Sequence, residues 1–323
     1  RNGFYARPCF GDAAAYRVQA LTLRRALVEN PAAFLKTALG IRAAHAPGVA
    51  AAAAIVGFDD DVTPRDAVVV QAFVALLFAA GTYRLARRWS DRGGALLAVV
   101  VALGAPVVAL SGRPLYPQFP MAACLVWATW TLTRSRGLAR LRSAAAYGAW
   151  VGFALLFKAI APVYVIGGAA TAAAIGLRKQ ETRARTFAGI AVSAVVAAAL
   201  AGPFYARNLD LTFGRVSEVS GEAGQAAWSQ GVSYASIERW AYYPREFATR
   251  GLGYGLAAVV VVAGATLIAT RRRRDSADDA TGPRDDVAAF LVGETLATYV
   301  LLSIGQIAGG AFYVTGWCAT AGV

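Results

Sequence analysis

Four polar side chains stand at the edges of apolar runs, and each is of a type that can do chemistry there. They are Asp12 in CFGDAAAY, His45 in AAHAPG, Lys158 in LLFKAIAP and Arg207 in GPFYARN. A carboxylate that follows a glycine and opens a helix is a favoured N-cap, and it could equally serve as a general base at a membrane surface. Asp12 admits both readings. His45 is the only histidine of the chain, and its place between a loop and an apolar helix fits a structural role as readily as a functional one. Cations at membrane depth are costly and tend to be functional, but a lysine can also snorkel its ammonium to the surface, so Lys158 is open as well. Arg207 lies just beyond the last apolar residues of its run. A guanidinium there can grip a phosphate bidentately at headgroup depth.

Other polar groups would share that depth. SGRPLYPQFP reads as a tight hairpin between two helices, with Tyr116 and Gln118 expected to face the same cavity as Asp12. The segment 206–251 carries Trp228, Tyr234, Trp240, Tyr242 and Tyr243 with Arg239, Arg245 and Arg250. Aromatics of this density anchor a membrane interface, and they also suit stacking on a sugar. FDDDVTPRD (Phe58–Asp66) has the look of an acidic metal motif, yet three acids before Thr63-Pro64 equally suit a turn and helix start. Glu294 falls inside an apolar run and is expected to face the interior. The three cysteines, Cys9, Cys124 and Cys318, are scattered and lack metal-site spacing. No cofactor is required by any motif, and no metal is indicated.

The elements that must position these groups follow from composition. The 323 residues are 57% hydrophobic and 16% charged, against roughly 25% charged in soluble domains. Apolar runs recur at Ala67–Ala86, Ala95–Ser111, Phe119–Thr133, Ala144–Phe157, Ala159–Leu177, Phe187–Tyr205, Leu252–Thr270 and Val287–Ile307. Their lengths approach that of a membrane-spanning helix, and they lack the alternation of barrel strands. The fold class is therefore all-α, a polytopic helical membrane protein.

The net charge of +13 does not point to nucleic acid, because the arginines cluster between apolar runs. The clusters are Arg84, Arg87, Arg88 and Arg92; Arg134, Arg136, Arg140 and Arg142; Arg178, Lys179, Arg183 and Arg185; and Arg271 to Arg274. Short basic connections stay in the cytoplasm; their ordinary work is topology and contact with lipid headgroups. Fixing them inside divides the chain into an outer segment 1–66 with juxtamembrane helices, transmembrane helices over 67–205, an outer loop 206–251, and further transmembrane helices over 252–323 around a basic linker, 271–286. Lys158 then falls near an outer turn. Arg17–Leu27 reads as an amphipathic surface helix with Val18, Leu21 and Leu27 on its apolar side. Ala46–Phe58 is apolar but short, and is expected to lie in the outer interface. The start at Arg1 and the single Met, at position 121, lead to the expectation of a fragment.

In this order the motifs resemble the GT-C glycosyltransferases, specifically the bacterial protein O-mannosyltransferase and aminoarabinose-transferase-like family (dolichyl-phosphate-mannose-protein mannosyltransferase-like). GDAAAY matches an outer-loop acid followed by Tyr, here Tyr16, and a surface helix. HAPGVAAAAAIVGF matches an H-P-P-L-Y-type segment ending in F-G, YRLARRW a basic helix end, GFALLFKAIAP a G-L-A-L-L-T-K-type helix, and GPFYARN a P-W-Y-x-R-N element that contains Tyr205 and Asn208. The resemblance implies a bacterial inner-membrane enzyme with an outward-facing site. Its donor would be a sugar on a polyprenyl phosphate, and its acceptor a glycan, lipid or protein. Asp12 would deprotonate the acceptor hydroxyl, which attacks the anomeric carbon with inversion. Arg207, Lys158 and His45 would hold the lipid phosphate. Tyr16, Tyr116, Gln118, Tyr205, Asn208, Trp240 and Tyr243 would contact substrate.

The sequence departs from the family at Gln118, where the family has an acid, and at HAPGV. It also reads GGAFYVTGW where the family has an R-Y-x-x-P-like element. A competing reading, a secondary transporter or lipid flippase, predicts inverted repeats and a site at the bilayer midplane. The candidates here instead sit at the outer ends of their runs.

Overall fold

The computed structural model describes residues 12–57, 64–88, 90–105, 108, 116–220, 236–246 and 295. These are organised as helices: α1 (Asp12–Glu29), α2 (Phe34–Gly40), α3 (Gly48–Val56), α4 (Pro64–Ala86), α5 (Arg92–Gly104), α6 (Gln118–Thr133), α7 (Leu141–Phe157), α8 (Ala161–Arg178), α9 (Arg183–Arg207), α10 (Leu209–Ser220) and α11 (Ile237–Glu246). The breaks between them have local causes. Asn30 accepts a hydrogen bond from the Ala33 N–H at 3.3 Å and precedes Pro31, which separates α1 from α2. Pro47 precedes α3. Asp91 caps α5 by accepting from the Gly94 N–H at 2.8 Å.

The centre of the bundle is α6, buried along almost its whole length, as expected for a helix that is apolar on every side. It packs on α4 and α7, and α7 in turn packs on α9. Phe78, Leu85, Met121, Leu125, Leu132 and Tyr164 fill the space between these helices. Within a bilayer no hydrophobic force draws helices together, so close packing of small residues must do so. The α7–α9 contact has this form: Gly148 lies directly on the Ser193 backbone, and Ser193 Oγ donates to the Ala144 carbonyl at 2.9 Å. By length and composition, three helical stretches could cross a membrane: Val68–Ala86, Ala161–Arg178 and Gln180–Arg207. The protein is a helical membrane protein.

Hydrogen bonds bring the basic connections to one end of the bundle. Arg88 donates to the Thr133 carbonyl at 3.2 Å, which joins the α4–α5 connection to the end of α6. Thr186 Oγ1 donates to the Gly137 carbonyl at 3.0 Å, which joins the α6–α7 connection to the first turn of α9. The turn between α6 and α7 reverses through three consecutive residues of positive φ, Arg136, Gly137 and Leu138.

Several expectations are refined. The helix expected over Ala46–Phe58 is α3, and its Val49, Ala50, Ala53 and Ala54 are buried in one cluster with Tyr16, Ala20 and Leu23 of α1. The buried face of α1 is accordingly not the one marked by Val18, which is 65% exposed. Ala20 and the alanines of α3 let the two backbones approach, and that decides the face. The run expected to reach Ser111 ends its helix at Gly104, with Ala105 extended; the proline that follows disfavours a helical residue before it. The runs 252–270 and 287–307, Glu294, Cys9, Cys318, the 59–61 acids, Trp228 and Tyr234 lie outside the described residues.

Candidate functional site

At the end of the bundle opposite the basic connections, α1, α3, α7 and α9 meet around the segment 41–48. Tyr16 is buried on α1, and its ring lies 5.3 Å from the His45 imidazole, centroid to centroid. Gln19, one turn further along the same face, donates its amide to the His45 carbonyl at 3.2 Å. Asp12 begins α1, one turn before Tyr16; its side chain lies outside the described residues. Position 12 is thus on the helix that carries the His45 contacts.

The second wall is the end of α7. Gly48 sits against it so closely that a Cβ there would meet the Leu156 carbonyl oxygen at 2.6 Å and the Phe157 ring at 2.8 Å. Phe157 also packs on the Tyr16 cluster. The next residue is Lys158, half-buried in the α7–α8 turn, its N–H donating to the Ala154 carbonyl. One tight contact therefore fixes the distance from the His45 segment to the lysine backbone.

The third wall is the end of α9. Pro203 lies inside this helix, where it removes a backbone donor and weakens the last turns. Side chains brace this end of the helix. Tyr205 Oη donates to the Leu155 carbonyl of α7 at 2.8 Å. Asn208 is fully buried and uses both ends of its amide: Oδ1 accepts from the Ala43 N–H at 2.8 Å, while Nδ2 donates to the Ile41 carbonyl at 3.0 Å and the Phe204 carbonyl at 2.9 Å. Arg42 donates to the Arg207 carbonyl at 3.3 Å and pairs with Asp210. The Arg207 side chain itself is exposed at the helix end. Its backbone is held, through Arg42, to the loop that carries His45.

Tyr16, His45, Lys158, Tyr205, Arg207 and Asn208 thus gather about one segment. Asn208 and Tyr205 have their polar atoms engaged with backbone, so their work there is to hold α9 to the 41–43 segment and to α7. Tyr116 and Gln118 are tied to α4 instead. Gln71 donates to the Tyr116 carbonyl at 3.4 Å, and Gln118, at the start of α6, is buried with Oε1 lacking a hydrogen-bond partner. Trp240 is half-buried on α11, and Arg245 lies 6.0 Å from the Tyr242 ring; the Tyr243 side chain lies outside the described residues. Among the described residues no group of three His, Cys, Asp or Glu side chains could hold a metal ion.

Two participants escape the sequence reading. Arg42 carries no motif of its own. Gln19 had a readable signal, a polar residue spaced three and seven from Tyr16 and Asp12 on a helix face that is otherwise small and apolar.

No curated protein and no solved structure matches the chain. The family profile described as dolichyl-phosphate-mannose-protein mannosyltransferase matches residues 45–205, from His45 to Tyr205. Asp12 precedes this interval and Arg207 follows it by two residues. Over residues 45–205 the chain therefore belongs to the dolichyl-phosphate-mannose-protein mannosyltransferase family, membrane glycosyltransferases of the GT-C type.

Proposed function

We propose that this protein transfers a sugar from a polyprenyl-phosphate carrier to an acceptor on the extracytoplasmic face of a bacterial inner membrane, with inversion at the anomeric carbon. The observation that carries the reading is the convergence of Tyr16, His45, Lys158 and Arg207 about the segment 41–48, at the end of the bundle away from the basic connections. If those connections are cytoplasmic, this end faces outward. Activated nucleotide sugars are absent there, so a lipid-linked donor is the available one.

In the step itself an acceptor hydroxyl attacks the anomeric carbon as its proton passes to the carboxylate of Asp12. The bond from that carbon to the phosphate oxygen breaks, and the polyprenyl phosphate leaves with the electron pair. Arg207, with Lys158 and His45 beside it, stabilises the charge that grows on the phosphate. Such fixed charges act where charge develops, which is why they are worth much in a site that excludes water. Tyr16 positions the imidazole from below, and Asn208 and Arg42 hold the loop to the helix that bears Arg207. Tyr116, Gln118, Trp240 and Tyr243 are assigned to contact with the sugar or acceptor. Divalent metal is not required in this scheme.

The test is transfer of radiolabelled sugar from polyprenyl phosphate in membranes containing the full-length protein, Asp12→Asn or Arg207→Ala. Each variant is expected to insert normally and to lose about 10²–10³-fold in rate. Equal turnover by all three proteins would remove both residue roles.

A further inference from the structure

A second group of residues lies at the opposite, basic end and takes no part in that site. Arg84 of α4 lies 5.8 Å from the centre of the Trp127 ring and 5.6 Å from that of Trp130, both on α6. Arg134, at the end of α6, lies 4.7 Å from Trp130. The two guanidiniums therefore flank one indole and stand no more than about 10 Å apart. Among the described residues neither is paired with a carboxylate, whereas Arg42 at the other end is paired with Asp210. Two like charges held together by aromatic faces repel one another, and an anion received between them relieves that repulsion.

The aromatics do not stop at the arginines. Trp127 stacks on Trp150 of α7 at 5.6 Å and 22°, and Trp150 meets Phe153 at 6.1 Å. Trp127 is fixed in place by donating its indole N–H to the Leu77 carbonyl at 2.9 Å. Along α7 the chain runs from the basic end toward the other, so each turn carries this strip about 5 Å deeper. Phe153, at its deep end, is 42% exposed on the outer surface of the bundle. The arrangement has a cationic head at the membrane surface and an apolar track leading down from it.

We propose that Arg84, Arg134, Trp127, Trp130, Trp150 and Phe153 form a binding site for an anionic phospholipid of the cytoplasmic leaflet. The headgroup phosphodiester lies between the guanidiniums and an acyl chain along the aromatic strip. Diffuse attraction of basic loops to anionic lipid is general; this site adds two pre-positioned guanidinium planes, a geometry that lysine cannot reproduce.

The experiment is native mass spectrometry of the full chain released from bilayers of mixed phosphatidylglycerol and phosphatidylcholine. It compares the wild type with Arg84→Gln/Arg134→Gln, Arg84→Lys/Arg134→Lys, Trp130→Ala and, as a control on the same basic end, Arg92→Gln. Circular dichroism and gel filtration check that each variant is folded. The site predicts that phosphatidylglycerol is retained over phosphatidylcholine, and that the Gln pair lowers this preference about tenfold or more. It also predicts that the Lys pair and Trp130→Ala lose much of it, while Arg92→Gln keeps it. Full retention by the Lys pair, or an equal loss in Arg92→Gln, would reduce the effect to net charge and overturn the site. Displacement of the lipid by water-soluble glycerol phosphate at similar concentration would overturn the lipid as its occupant.

Discussion

At the residue scale, Asn208 shows how a polar side chain at a membrane exit can be more joint than ligand. It satisfies an N–H and a carbonyl of the 41–43 segment and a carbonyl of its own helix, and it is fully buried. Replacing it by Ala leaves buried backbone groups unpaired, each costing about 1–3 kcal/mol. Asn208→Ala is therefore expected to lower the unfolding temperature of the detergent-solubilised protein and to lose transfer with it. Tyr205→Phe removes a single hydrogen bond to Leu155, worth about 1 kcal/mol, and should be mild in the same thermal measurement. Arg207→Ala is different in kind, because its backbone carbonyl, which Arg42 holds, is retained. Stability should change little while transfer falls, and that contrast separates the two neighbours.

At the element scale the decisive contacts are made by residues without polar chemistry. Gly48 lets the first turn of α3 rest on the last turn of α7. A Val there would push the two apart by the bulk of its side chain, carrying His45 away from Lys158. Gly48→Val is expected to leave membrane insertion intact but to lower transfer by at least about tenfold, since misplacement by about 1 Å can cost more than that. Gly148 plays the corresponding part between α7 and α9, and Gly148→Leu should destabilise the bundle by about 1–3 kcal/mol through overpacking, read as a lower unfolding temperature. Beyond Pro203, contacts from α7 and the 41–43 segment to Tyr205 and Asn208 hold the end of α9 in place.

At the scale of the whole molecule the fold separates two ends. The basic connections are joined at one end by Arg88 to Thr133 and Thr186 to Gly137, and the proposed catalytic group lies at the other. Sidedness can be measured with a membrane-impermeant maleimide on a background lacking Cys9, Cys124 and Cys318. Lys179→Cys is expected to react only from the cytoplasm, and Lys36→Cys only from outside. Labelling of both from one side would break the topology on which the outward-facing site depends. The family relationship over residues 45–205 covers α3 to α8 and most of α9 but not α1, so the role of Asp12 rests on the transfer assay.

The sequence by itself determined that this chain is a helical membrane protein, where its apolar runs start, and the order of motifs that makes it a glycosyltransferase of this family. These are local properties: hydropathy over about 20 residues, proline and capping residues, and charge between runs all act through their immediate neighbours. It also named His45, Lys158 and Arg207 without being able to bring them together. Only the tertiary structure decided that Tyr16 meets His45, that α1 buries Ala20 and Leu23 rather than Val18, that Asn208 ties α9 to the 41–43 segment, and that Arg84 and Arg134 share one indole. Each of these depends on which helix face meets which, and that is set by close approach of small residues far apart in the chain, a property with no period and no motif.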